Sequence, residues 1–448
     1  MRPRTMKSNW RWRVLPTILC LGIILMPAVS LAQTLIEYSL WLQIMTLKSE
    51  TLTVYDESSQ AEANIICGRE YIGGTSGTLS QDGYTNLTDE LYLGDESGSS
   101  GTYNLSGGTL AAGIEYIGFN GTGIFIQSGG SNSSANITGG LSLFFSSDTN
   151  LYLGYNSGSR GTYELQGGSL SAKHEYIGYL GTGTFTQSGG THTVDHLFIG
   201  VGVLSNGTYN LEGGTLSAGT IQVNPTGSFN VTGGTHTVSG DVANAGTIKT
   251  TNAEVVWDGE VFVVQGGSFI SDPSTNEFKQ DFICYGTLSA AEGDVLSFSQ
   301  DLTLEGEAEL AESTIKFVDG VDDNEHSLKL PAETLTVATL SIGEGEVLIL
   351  ENDGTIYATV LEGLEIDDQG IITNIALAEG VSDVKIIYDI NENPDLAGQT
   401  FSLLGGEGGV VPTPLPASVL LLGTGLLGVL LLGTGLLGLG LLGRRRRS

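Results

Sequence analysis

The stretch Gly101-Thr-Tyr-Asn-Leu-Ser-Gly-Gly108 decides the fold, because it recurs as Gly161-Thr-Tyr-Glu-Leu-Gln-Gly-Gly168 and Gly207-Thr-Tyr-Asn-Leu-Glu-Gly-Gly214. Related copies lie between them: Gly123-Ile-Phe-Ile-Gln-Ser-Gly-Gly130, Gly183-Thr-Phe-Thr-Gln-Ser-Gly-Gly190 and Gly227-Ser-Phe-Asn-Val-Thr-Gly-Gly234. The copies start 22, 38, 22, 24 and 20 residues apart, and the long interval holds a degenerate Asn136-Ile-Thr-Gly-Gly140 with an irregular insertion. Apolar and polar residues alternate within each copy, a period of two that marks strands. The Gly-Gly pair at fixed phase supplies positive φ at a corner without a Cβ clash.

Working outward, a short strand precedes five of the six copies: Leu91-Tyr-Leu-Gly94, Tyr116-Ile-Gly118, Leu151-Tyr-Leu-Gly154, Tyr176-Ile-Gly178 and Leu197-Phe-Ile-Gly200. Tyr71-Ile-Gly73 places the start of the array near residue 65. One such unit is too small to bury its apolar face alone, so neighbours must stack. The expected fold is all-β, a right-handed parallel β-helix or solenoid of ~22-residue coils rising about 4.8 Å each. Tyr103, Phe125, Tyr163, Phe185, Tyr209 and Phe229 then form an aromatic ladder along it. A β-propeller is the alternative, but its blades need ~40–50 residues. The repeats are also similar in composition to β-helical passenger regions of autotransporter-type adhesins. That likeness implies fold alone, since such proteins end in a strand-built barrel.

The exact repeat fades near Asp241, and residues 241–404 read as a diverged continuation of the solenoid or a β-rich cap, continuation being favoured. Residues 33–404 at ~22 per coil give roughly 17 coils. The organisation is therefore a leader at 1–32, glycine-rich repeats at 33–240, the diverged region at 241–404, a linker and motif at 405–418, and a membrane tail at 419–448.

The leader has a basic segment (Arg2, Arg4, Lys7, Arg11, Arg13), an uncharged run from Val14 to Met26, and small residues before a cleavage site between Ala32 and Gln33. About thirteen residues at ~1.5 Å each are too short to span a ~30 Å hydrocarbon core, so a cleaved signal peptide is expected over an uncleaved anchor. The tail differs: 25 residues from Val419 to Gly443 carry no charge, enough for one transmembrane helix. Arg444, Arg445, Arg446 and Arg447 follow as a stop-transfer cluster that places the C-terminus in the cytoplasm.

Val411, Pro412, Thr413, Pro414, Leu415, Pro416, Ala417 and Ser418, followed by that Leu/Gly helix and the Arg cluster, resemble the tripartite PEP-CTERM sorting signal. Thr413 stands where the name-giving motif has Glu. The resemblance implies recognition by an exosortase-type membrane protease, removal of the tail, and association with exopolysaccharide and biofilm in Gram-negative bacteria. An ordinary single-pass anchor is the alternative. The expected path is export, an inner-membrane intermediate, then the cell surface or extracellular matrix.

Between the two ends stand nine basic against 50 acidic residues, a net charge of −41. Nucleic acid and anionic lipid both demand a positive footprint and are excluded as partners. Cys20 leaves with the leader, and Cys67 and Cys284 form no motif, so a disulfide is permitted but not required. Catalysis is not expected. Between residues 65 and 240 the only basic side chains are Arg69, Arg160 and Lys173, and the acidic residues read as a solvated face. His192 and His236 share one repeat phase, with Asp195 and His196 nearby, but a metal site needs three or four convergent ligands. No cofactor is expected; Asp389-Ile-Asn-Glu-Asn-Pro-Asp395 is the one candidate for Ca2+, although it lacks the glycine and terminal glutamate of an EF-hand loop. The reading is a non-enzymatic exported surface or matrix protein. The alternatives are an adhesin for a specific glycan or protein and, behind it, a polysaccharide lyase or hydrolase.

Overall fold

The computed structural model describes residues 46–412, apart from 56–57, 134–149, 319–323, 332–333, 397 and 405–407. They form a parallel β-solenoid of about 15 turns. The chain divides into two compact units at Asn230.

In the first unit the strands are long and bend through glycine corners, as in Gly77–Leu93, Ser100–Ile117, Thr182–Ile199 and Asn206–Val223. Each pairs in parallel with the equivalent segment one coil on, which removes the antiparallel blades of a propeller. Tyr103 pairs with Phe125, Phe125 with Tyr163, Tyr163 with Phe185 and Phe185 with Tyr209. Within each strand buried and partly exposed residues alternate, so Gly101, Tyr103 and Leu105 face in while Thr102 and Asn104 face out. The array starts earlier than the sequence repeat: Thr46–Tyr55 already pairs with Asn64–Gly73.

The corner glycines do what their phase requires. Gly168 has φ +79°, and a Cβ there would lie 2.3 Å from the carbonyl oxygen of Gly130 in the coil before. One coil breaks the rule: opposite Gly108, Tyr84 takes this corner with φ 61°.

The second unit keeps the parallel stacking with shorter strands. Thr247–Thr251, Ser268–Asp272, Thr287–Ala290 and Glu307–Glu309 form one face. Trp257, Phe278, Phe298 and Phe317 occupy one register inside it. The described residues of 241–404 thus continue the solenoid in parallel register. The turns number about 15 where roughly 17 were expected, some coils running well past 22 residues, as in Phe125 to Tyr163.

Near the C-terminus the parallel rule ends. Phe401–Leu404 runs antiparallel to Gly409–Pro412, which also pairs in parallel with Val384–Tyr388. Within the linker and motif expected over 405–418, backbone pairing takes Gly409–Pro412, including Val411 and Pro412 of the motif, into the sheet. Among the described residues no helix is long and apolar enough to cross a membrane. Residues 1–33, Thr413 to Ser418, the helix expected over 419–443 and Arg444 to Arg447 lie outside the described residues.

Candidate functional site: an outward aromatic tract

The six ladder residues form one interior column in the first unit. Ring centroids lie 5.0 Å apart for Tyr103–Phe125, 4.6 Å for Phe125–Tyr163, 5.0 Å for Tyr163–Phe185 and 4.7 Å for Phe185–Tyr209, all near-parallel. Tyr209–Phe229 is edge-to-face at 5.4 Å. All six rings are fully buried, so the column is core rather than binding surface. Its three hydroxyls donate to glutamines one coil back: Tyr103 to Gln81 at 2.5 Å, Tyr163 to Gln127 at 2.6 Å and Tyr209 to Gln187 at 2.6 Å. Tyrosine therefore alternates with phenylalanine, or with Leu79, because a buried hydroxyl needs its partner.

A second aromatic array faces outward. Tyr71, Tyr92, Tyr116, Tyr152, Tyr176 and Phe198 are half-buried and stack in register, with centroids 4.8, 4.8, 5.4, 4.7 and 5.0 Å apart. Beside them runs a shorter column, Phe119, Tyr155 and Tyr179, at 5.2 Å spacing. The columns meet edge-to-face: Phe119 against Tyr92 and Tyr116, Tyr155 against Tyr116 and Tyr152, Tyr179 against Tyr152 and Tyr176. Nine rings thus cover one face over six coils. Glycine follows the first-column strand each time, and Gly118, at φ +76°, turns the chain so that Phe119 returns against Tyr116.

The tract is polar at its margins. Tyr92 donates to Glu90 at 3.0 Å, Asn150 donates to the Tyr152 hydroxyl at 3.1 Å, and Arg69 pairs with Glu90 at 2.6 Å. Asn156 donates to Asn120 at 2.8 Å, and Asn120 donates to the backbone of Asp95 at 2.8 Å. Burial, with neighbouring Tyr155 and Glu90, pushes the Tyr116 phenol up to about 12, and burial is also the largest cause raising Tyr92 and Tyr152. The phenols are neutral hydrogen-bonding groups, not nucleophiles, at physiological pH.

The other candidate residues separate. His192 and His236 both turn inward: His192 lies 2.8 Å from Glu175, and His236 is 2.6 Å from the carbonyl oxygen of Gly233. Asp195 is exposed, and His196 stacks on His174 at 5.2 Å. In Asp389–Asp395 two side-chain oxygens are used within the fold. Asp389 accepts from the backbone and side chain of Asn391, while Asn393 accepts from Leu361 and donates to Thr359. Among the described residues no group of three His, Cys, Asp or Glu side chains is placed to hold a metal ion. Cys67 and Cys284 are buried free thiols.

One expectation is overturned. The acidic residues are not uniformly a solvated face, because Glu70, Glu115 and Glu175 are fully buried. Period two explains it: each immediately precedes an outward tyrosine (Tyr71, Tyr116, Tyr176), so it must face in. The same parity marks the outward tract, whose signal was the tyrosine before each corner glycine. No protein-family model, curated protein sequence or solved structure matches the chain.

Proposed function

We propose that this chain is a non-enzymatic exported protein of the cell surface or extracellular matrix that holds an uncharged polysaccharide along its aromatic tract. The observation that carries this reading is the nine-ring outward array, repeated at the coil rise and edged by asparagine amides and tyrosine hydroxyls. Rings with a polar tip suit a ligand that is apolar on its faces and hydroxylated at its edges. A polymer of like units meets equivalent sites in successive coils, so weak contacts combine through effective concentration. The net charge of −41 between the terminal segments disfavours anionic polymers and favours a neutral one.

In this reading the leader exports the chain. The segment Val411 to Arg447 sorts it through an exosortase-type protease, and the solenoid then stays in the exopolysaccharide matrix. The test has two parts. Affinity electrophoresis through gels containing the producing cells' exopolysaccharide is expected to retard the wild type, and retardation is expected to fall in the Tyr116→Ala/Tyr152→Ala variant. Equal mobility of the two proteins would refute the tract as the binding face. The C-terminus of protein from the matrix is expected between Gly409 and Ser418; a terminus at Ser448 in washed membranes would leave a permanently anchored rod instead.

A further inference from the structure

The first unit carries one polar cluster three times inside its core. Each contains a glutamine, a ladder tyrosine, a donor side chain and a glutamate: Gln81, Tyr103, Asn86 and Glu70; Gln127, Tyr163, Asn132 and Glu115; Gln187, Tyr209, His192 and Glu175. All twelve side chains are buried. The glutamates share one register column and alternate with Leu91, Leu151 and Leu197, so the clusters recur every second coil.

Counting donors fixes the protons. The glutamine amides donate to backbone carbonyls, Gln81 to Thr109, Gln127 to Ser169 and Gln187 to Thr215, so each glutamine oxygen is free to accept. Each tyrosine spends its only hydrogen on that oxygen. The tyrosine oxygen must then accept, and it does, from Asn86 and Asn132 at 3.0 Å each. Asn86 Nδ2 also donates to Glu70 Oε2 at 2.8 Å, and Asn132 Nδ2 to Glu115 Oε2 at 3.1 Å. Two buried acceptors are left in each of these two clusters: Oε1 of the glutamate and Oδ1 of the asparagine, neither with a partner. In the third cluster His192 Nδ1 lies 2.9 Å from the Tyr209 hydroxyl, whose hydrogen is already committed. Nδ1 therefore carries a hydrogen, and Nε2, 2.8 Å from Glu175 Oε2, faces the carboxyl.

We infer that the first two clusters are each closed by a proton: Glu70 and Glu115 are neutral carboxylic acids donating from Oε1 to Oδ1 of Asn86 and Asn132, and this pair of clusters is a lock that loosens as pH rises. An acid and a primary amide joined this way satisfy all four atoms, whereas a carboxylate leaves two acceptors and a buried charge uncompensated. The ionisable groups facing these carboxyls are Cys67, Tyr103, Tyr163, Tyr209, His192 and the other two glutamates. Among the described residues no lysine or arginine is buried, and Arg69, on the strand of Glu70, is paired outside with Glu90. Burial, partly opposed by the asparagine hydrogen bond, pushes Glu70 and Glu115 up to about 7.

The sign follows from proton uptake. These carboxyls bind protons more tightly folded than unfolded, so their stability contribution is complete below pH ~4.5 and is lost as pH rises through about 7. Hydrogen exchange and infrared spectra of the full-length chain in detergent, from pH 5 to 9, test this. The expected result is a protonated-carboxyl C=O band at acid pH that disappears above pH ~8, with exchange protection in Asn64–Gly73 and Ser100–Ile117 falling up to about tenfold per pH unit per carboxyl, after correction for intrinsic exchange. In Glu70→Gln/Glu115→Gln the part of the band that persists at pH 6 to 7 should be missing and protection should stay level, because the Gln amide reproduces the acid's donor. Should that variant fold poorly, Glu115→Gln alone is expected to halve that part. Absence of a band at pH 6 to 7 in the wild type, or parallel pH profiles for wild type and variant, would overturn the inference.

Discussion

Replacing Tyr163 by phenylalanine removes one oxygen from the core and leaves the stack intact. The ring would remain between Phe125 at 4.6 Å and Phe185 at 5.0 Å, and the column already accepts phenylalanine at both neighbours. What is lost is the donation to Gln127 at 2.6 Å and the acceptance from Asn132 at 3.0 Å. Gln127 Oε1 is left without a donor and one Asn132 hydrogen without an acceptor, both in a fully buried site. At about 1–3 kcal/mol for each of the two orphaned groups, the cost should be about 2–6 kcal/mol. In a repeat array the damage stays near its coil. Hydrogen exchange should therefore report it in Thr122–Gln127 and Arg160–Leu165, with much less change in the strands beyond Val231. Adding Gln127→Leu to the variant should recover about half the loss, because the neighbouring coils already carry Leu105 and Leu165 at that register. A Tyr163→Phe protein within about 0.5 kcal/mol of wild type would refute the account of the ladder as a hydrogen-bonded column.

Gly168→Ala should disrupt its corner by more than about 1 kcal/mol, as a urea midpoint would register, since the residue is left-handed and its Cβ would strike Gly130. The converse change, Tyr84→Gly, should raise the midpoint by up to about 1 kcal/mol by relieving the positive φ of an exposed tyrosine. Burial, with Glu70, pushes the Cys67 thiol up to about 12, and burial pushes Cys284 up to about 11, so alkylation at pH 8 should fail in the folded protein. In urea, mass spectrometry should count two labels for a chain beginning at Gln33 and three for one retaining Cys20. With Glu70 and Glu115 at about 7 folded against an ordinary 4.5, each should withdraw about 3 kcal/mol between pH 4.5 and 8, so a stability that rises over that range would contradict the buried-acid assignment.

Much of this fold was legible because a solenoid repeats its physics as it repeats its sequence. The Gly-Gly phase, the alternation within Gly-Thr-Tyr-Asn-Leu and the recurrence of Tyr103 and Phe125 each carry one coil's geometry locally. In the diverged region, alternation in Glu333-Thr-Leu-Thr-Val-Ala-Thr-Leu-Ser-Ile342 survived, and Thr334–Ile342 is a strand in parallel register. The outward tract was half legible. Its first column stood in the motifs before each corner, but Phe119, Tyr155 and Tyr179 follow the corner, and only the turn brings them back. In Asp389–Asp395 the sequence shows the oxygens but not their partners: Asp389 accepts from Asn391 and Asn393 from Leu361 only once the chain has folded back.

The sequence by itself determined the parallel stacking, the corners, the ladder phase and the parity that sends Tyr116 out and Glu115 in. Each is set by neighbours one or two residues away and by the coil period. The tertiary structure alone decided which side chains meet across coils: Asn86 with Glu70 and Tyr103, His192 with Glu175 and Tyr209, Tyr155 with Tyr116. Those partners are separated in sequence by most of a coil or more. Their contacts depend on where each corner returns the chain, and the donor count that puts a proton on Glu70 exists only once they are enclosed.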